Sequence, residues 1–117
     1  MNLELVRNYC LNKKGVTESL PFDEVSPVYK VMDKMFLILS IDIPHSMNVK
    51  CEPEKAVELR ERFETVLPGY HMNKIHWNTV MLDGTVPDNL IYKWIDDSYN
   101  LIVRGLKKSL FEELKKL

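Results

Sequence analysis

Apolar residues recur along the chain at two periods, and the switches between them mark out its elements. Leu3, Val6 and Cys10 fall at helical spacing behind Asn2, a capping residue, and ahead of Asn12, Lys13, Lys14 and Gly15. That pattern predicts a short amphipathic helix over residues 2–12, with the lysines at the negative end of its dipole. Residues 16–27 carry two prolines and no sustained period, so they read as a surface connection. VYKVM and MFLILSID, split at Asp33-Lys34, then read as a β-hairpin rich in β-branched and aromatic residues. Its second arm is apolar on both faces around Leu37–Leu39, which predicts a central strand covered on both sides.

After a break at Ile43-Pro44-His45, Met47, Val49 and Cys51 alternate with Asn48 and Lys50, the mark of a third strand with one wet face. Glu52-Pro53 opens a helix whose apolar stripe is Ala56, Leu59, Phe63, Val66 and Leu67, ending at Pro68-Gly69. The stretch YHMNKIHWNTVML, residues 70–82, alternates again. As a fourth strand it is expected to turn Ile75, Trp77, Thr79 and Met81 to the core and Lys74, His76, Asn78, Val80 and Leu82 to the other face. A turn at Asp83-Gly84-Thr85 leads through Val86-Pro87-Asp88 into a long helix with Leu90, Ile91, Trp94, Ile95, Ser98, Tyr99, Ile102 and Leu106 on a wide buried face. SLFEELKKL, residues 109–117, reads as a last amphipathic helix. The order α, β-hairpin, β, α, β, α, α with short connections predicts an α+β fold, a mostly antiparallel sheet packed with helices, in a single domain over residues 1–117.

Composition narrows the function more than the fold. At 117 residues, with 16 Lys and Arg against 17 Asp and Glu, the chain is an ordinary globular domain with no general basic surface. Binding to a phosphate backbone would have to rest on a local patch. Cys10 and Cys51, far apart, are expected as buried thiols suited to a reducing compartment. No apolar run approaches the roughly 20 residues of a membrane span, and the N-terminus lacks a signal-type segment, so a cytoplasmic protein that does not engage membranes is expected.

Catalytic chemistry finds no foothold. His71 and His76 are five residues apart, on opposite faces of one strand, and His45 is remote, so ligand spacing is absent and no metal or other cofactor is expected. There is no GxSxG elbow, no cysteine-protease signature and no phosphate-cradling glycine loop, so the chain reads as non-catalytic. What remains is a cluster of donors. Asn73, Lys74, His76 and Asn78 are candidate contacts to phosphates or base edges, with Tyr70 a stacking surface and Lys30, Lys34 and Lys50 an extension of the patch from the neighbouring strands. The structural alternative is that Trp77 anchors the core and that Asp96, Ser98 and Tyr99 clamp a strand by hydrogen bonding to His76 or to backbone.

Four segments together, PFDEVSPVYKVMDKMFLIL, SMNVKCEPEKAVELRE, PGYHMNKIHWNTVMLDG and DSYNLIVRGL, resemble the MmcQ/YjbR family of small bacterial proteins across residues 21–106. The resemblance implies an α+β fold similar to that of CyaY and frataxin, and a DNA-binding role of the double-wing type. It brings no catalytic residues. It brings no iron chemistry either, since frataxin-type sites depend on an acidic first helix and here that helix offers only Glu4. DNA is therefore one expected partner. The other is a protein partner or a second copy of the chain, met through a strand face or through Leu110, Phe111 and Leu114 of the last helix.

Overall fold

Tyr29, Leu37, Leu39, Met47, Val49, Val66 and Val80 converge on one side of a sheet and set the architecture. The computed structural model describes residues 1–117. In chain order the elements are α1 (Leu3–Leu11), β1 (Val16–Ser19), β2 (Val28–Val31), β3 (Lys34–Ser40), β4 (Ser46–Lys50), α2 (Pro53–Arg62), β5 (Val66–Pro68), β6 (Trp77–Met81), α3 (Asp88–Arg104) and α4 (Lys108–Lys115). The six strands form one sheet in the order β1-β2-β3-β4-β6-β5, antiparallel throughout. The expected α+β fold is therefore the observed one.

All four helices send side chains into the same core: Val6 and Cys10 from α1, Ala56 and Leu59 from α2, Ile91, Trp94 and Ile95 from α3, and Leu114 from α4. Inward residues on β3 and β4 alternate as strand geometry demands, with Leu37 and Leu39 facing the helices and Ile38 facing away. The register of β2 and β3 slips at Phe36, a β-bulge that lets both Phe36 and Leu37 bury completely. The β2–β3 turn lies at Met32 and Asp33, both at positive φ, one residue earlier than the sequence suggests. Two strands went unforeseen. β1 is a four-residue edge strand in which Val16 packs on the core and Thr17, Glu18 and Ser19 are exposed, and β5 takes Val66 and Leu67 out of the expected helix, because α2 ends at Arg62 and Phe63 turns to extended backbone. Of the last helix's apolar stripe Leu114 is buried in the core and Phe111 stays exposed; Leu114 packs where a Cβ on Gly15, whose φ is +74°, would come within 2.7 Å of it.

Polar links tie α1 to the sheet edge. Arg7 donates to Glu18 at 2.8 Å and the Tyr29 hydroxyl donates to the same carboxylate at 2.6 Å. The Arg7 hydrogen bond, foremost, holds the Glu18 carboxyl below its ordinary range. A carboxylate with a depressed folded pKa contributes stability above its unfolded pKa, near 4.5, and loses it as pH falls through the folded value. Thermal melts in acid should therefore fall less steeply for Glu18→Gln than for the native chain, with the two curves converging at the lowest pH. Parallel curves would show the pair to be energetically idle, as many exposed pairs are.

Candidate functional site

The helices cover one face of the sheet and leave the other open. On that open face an open groove of about 720 Å³ runs across β3, β4, β6 and β5. Its floor is Met35, Ile38, Ser40, Ser46, Asn48, Thr79 and Met81, and Leu67 stands at its edge. One wall is the segment preceding β2, with Phe22, Asp23, Val25 and Ser26; the other is the segment following β5, with Tyr70, His71 and Met72. Phe22 and Tyr70 are both more than two-thirds exposed, so the facing walls each present an aromatic ring, that of Tyr70 lying 4.0 Å from the His71 ring.

The second wall is a built structure. Gly69 lies against β6 so closely that a Cβ there would come within 2.8 Å of the Trp77 Cβ and 2.9 Å of its carbonyl oxygen. The Gly69 N–H donates to the Trp77 carbonyl at 2.9 Å, and Tyr70 N–H donates to the Thr79 hydroxyl at 2.9 Å. Lys74 Nζ closes the loop on the Gly69 carbonyl at 3.0 Å, while Arg60 of α2 donates to the Lys74 carbonyl at 3.0 Å. Asn73 stiffens the tip by accepting from Ile75 N–H at 2.9 Å. With its acceptor side occupied by Tyr70, the Thr79 hydroxyl donates to Asn48 Oδ1. The Asn48 carboxamide is thereby oriented with its NH₂ group left to the groove.

The residues singled out in the sequence divide three ways. Lys30 and Lys50 lie on the open face by register, Lys30 opposite Met35 and Lys50 opposite Trp77, and Lys74 and Asn73 sit on the adjoining loop. Lys34 pairs with Val31 and so belongs to the other face, at the hairpin. Asn78 is the clear correction. It is 1% exposed, faces the helices and donates from Nδ2 to the Ala56 carbonyl, so it reaches no partner in solution. The expected alternation of residues 70–82 is inverted: Asn78 and Val80 face the helices, whereas Thr79 and Met81 floor the groove. The strand begins only at Trp77, so Ile75, placed in the core by alternation, is 62% exposed on the loop. Half-buried His76 serves through its backbone, the carbonyl accepting from Cys51 N–H at 2.7 Å.

Trp77 is an anchor, 8% exposed. Ser98 does clamp backbone, but of β3 and β4. Asp96 instead receives Tyr9 and Lys13, and the Tyr99 hydroxyl donates to the Lys14 carbonyl at 2.7 Å. Burial, with the Asp96 hydrogen bond behind it, pushes the Tyr9 hydroxyl up to about 12. Both cysteines are free and buried, and burial pushes the Cys10 thiol up to about 12. No group of three or more His, Cys, Asp or Glu side chains is arranged to hold a metal ion, and no helix is long and apolar enough to cross a membrane.

Phe22, Asn48, His71, Met72 and Thr79 were missed as site residues. Asn48 alone had left a signal, as the polar member between Met47 and Val49 on a strand read as having one wet face.

Together these features define an α+β domain whose antiparallel sheet is backed by helices on one side and hollowed into a groove on the other. A family model described as YjbR matches residues 11–101, and the chain belongs to the YjbR family. Uncharacterized protein YjbR of Escherichia coli (strain K12) is 36% identical over 118 aligned residues, covering 100% of this chain and 97% of that one. The crystal structure of Deinococcus radiodurans protein DR2400 superposes with a TM-score of 0.91 at 35% identity, over 97% of this chain and 88% of that chain. A crystal structure of a Pseudomonas syringae protein gives a TM-score of 0.76 at 29% identity, over 86% and 98%.

Proposed function

We propose that this protein is a non-catalytic DNA-binding domain that engages its partner through the open face of the sheet. The observation that carries the reading is three lysines without a carboxylate partner at one end of the open face. Arg7, Lys13, Lys55, Lys93, Arg104 and Lys115 each have a carboxylate within 4 Å. Lys30, Lys50 and Lys74 have none, and they lie on or beside the open face at the end marked by Met35 and Trp77. Three lysines within a few strand spacings of about 4.8 Å give a polyanion a footing that the net charge of −1 conceals. In a double-wing arrangement the two walls of the groove are the wings. The buried free thiols suit work in a reducing cytoplasm.

Anisotropy titration of a labelled DNA oligomer at low salt tests this directly. Lys30→Ala/Lys50→Ala/Lys74→Ala should weaken binding and lower the salt slope by about 2 to 3, close to one unit for each phosphate no longer neutralised. Equal binding by the triple variant would remove the proposal.

A second reading has its own observation. Phe22, Leu67 and Tyr70 are large, exposed and gathered around the groove, as on a surface that meets another protein or a second copy of the chain. Under that reading the triple-lysine variant loses nothing, and substitution of Phe22 and Leu67 breaks association measured by light scattering.

A further inference from the structure

We infer that the groove takes an unpaired nucleotide, so that the DNA this protein prefers is single-stranded. The inference rests on the DNA-binding reading and deepens it. Duplex bases are read by elements that project, a helix or a β-ribbon entering a groove of the nucleic acid. Here the lysines border a hollow, and a hollow admits a base only when the base has left its stack. A volume of about 720 Å³ lies within the range of a small-molecule site and suits one nucleoside.

The lining agrees with that occupant. Phe22 and Tyr70 offer exposed rings on opposite walls, Met35, Met72 and Met81 add polarisable apolar surface, and stacking on such surfaces tolerates any base. Among these apolar groups the Asn48 NH₂ is an oriented donor, fixed by the Tyr70–Thr79–Asn48 relay and placed to meet a base carbonyl. Charge gives the groove a direction. Lys30 and Lys50 lie beyond its Met35 end, whereas Asp23 and Asp42 line the end marked by Ser40 and Ser46. Phosphates are welcome at the first end and repelled at the second, so the backbone stays with the lysines while the base enters the hollow.

Three probes of equal length separate the possibilities: a short oligothymidylate, its duplex with oligoadenylate, and a strand of the same length lacking bases. The oligothymidylate should bind at least about tenfold tighter than either control, the worth of one stacked base. Asn48→Ala, and separately Tyr70→Ala, should remove most of that advantage while leaving affinity for the baseless strand unchanged. The lysine triple variant should weaken all three alike. Duplex or baseless strand binding as tightly as oligothymidylate overturns the unpaired-base inference and leaves the DNA reading standing. Absence of binding to all three overturns both. Tyr70→Ala leaves the Tyr70 N–H and the relay intact, so it tests the stacking even if Asn48→Ala disturbs the floor.

Discussion

Asn78→Asp is expected to destabilise the protein by about 3–5 kcal/mol at pH 7, the cost of an uncompensated charge in a protein interior. Asn78 is 1% exposed, its Nδ2 donates to the Ala56 carbonyl at 3.2 Å, and its Oδ1 has no hydrogen-bond partner. The substitution keeps the shape and exchanges the donor for a second acceptor facing the Ala56 carbonyl. Asp97 and Lys50 both line the same small cavity, so their charges oppose one another and burial dominates. Burial raises the folded pKa of the new carboxyl above its unfolded value of about 3.9. The penalty is therefore full above the folded pKa and shrinks as pH falls through it. Urea denaturation at pH 7 and near pH 5 should show the variant recovering relative to the native chain. Native-like stability at pH 7 would mean that Asn78 is wet, and would restore it as a candidate contact for DNA.

Asn78 also shows where sequence reasoning reached its limit. The helices and β4 were legible because each has one buried and one solvated side, which writes a period into the sequence, and the hairpin because β-branched and aromatic runs flank a turn. β6 has no such contrast. Trp77, Asn78, Thr79 and Val80 are all buried, two beneath the helices and two beneath the 69–76 loop or on the floor of the groove, so polarity along the strand cannot set its phase. Phe63, Val66 and Leu67 misled differently, by continuing the helical spacing of Ala56 and Leu59 after the backbone had turned extended at Phe63. The groove is harder still to foresee. Its walls come from residues 22–26 and 70–72 and its floor from three strands, and only the strand order brings them together. Lys30, Lys50 and Lys74 were identified in the sequence. That they share the open face with Asn48 and Thr79 follows from the register alone.

Ser98→Ala is expected to cost about 2–6 kcal/mol, because one hydroxyl satisfies two buried backbone groups and each left unpaired costs about 1–3 kcal/mol. Ser98 is fully buried on α3; its Oγ accepts from Lys50 N–H at 2.8 Å and donates to the Phe36 carbonyl at 2.5 Å. Phe36 is the bulged residue of β3, and the β3–β4 ladder stops next to it, at Leu37 opposite Val49. The serine thus sits where the next pair of ladder bonds would have formed, and it ties the long helix to the point where the two central strands part. Lys50 begins its path to the open face from this same point, so the clamp also fixes one of the three lysines of the proposed DNA surface. Hydrogen exchange gives the sharper readout: in Ser98→Ala the Lys50 amide should lose its protection while amides within the remaining β3–β4 ladder keep theirs. A variant within about 0.5 kcal/mol of the native chain, the ordinary scale of a neutral surface change, with the Lys50 amide still protected, would show that the ladder closes without the serine. The bulge would then owe its position to the burial of Phe36 alone.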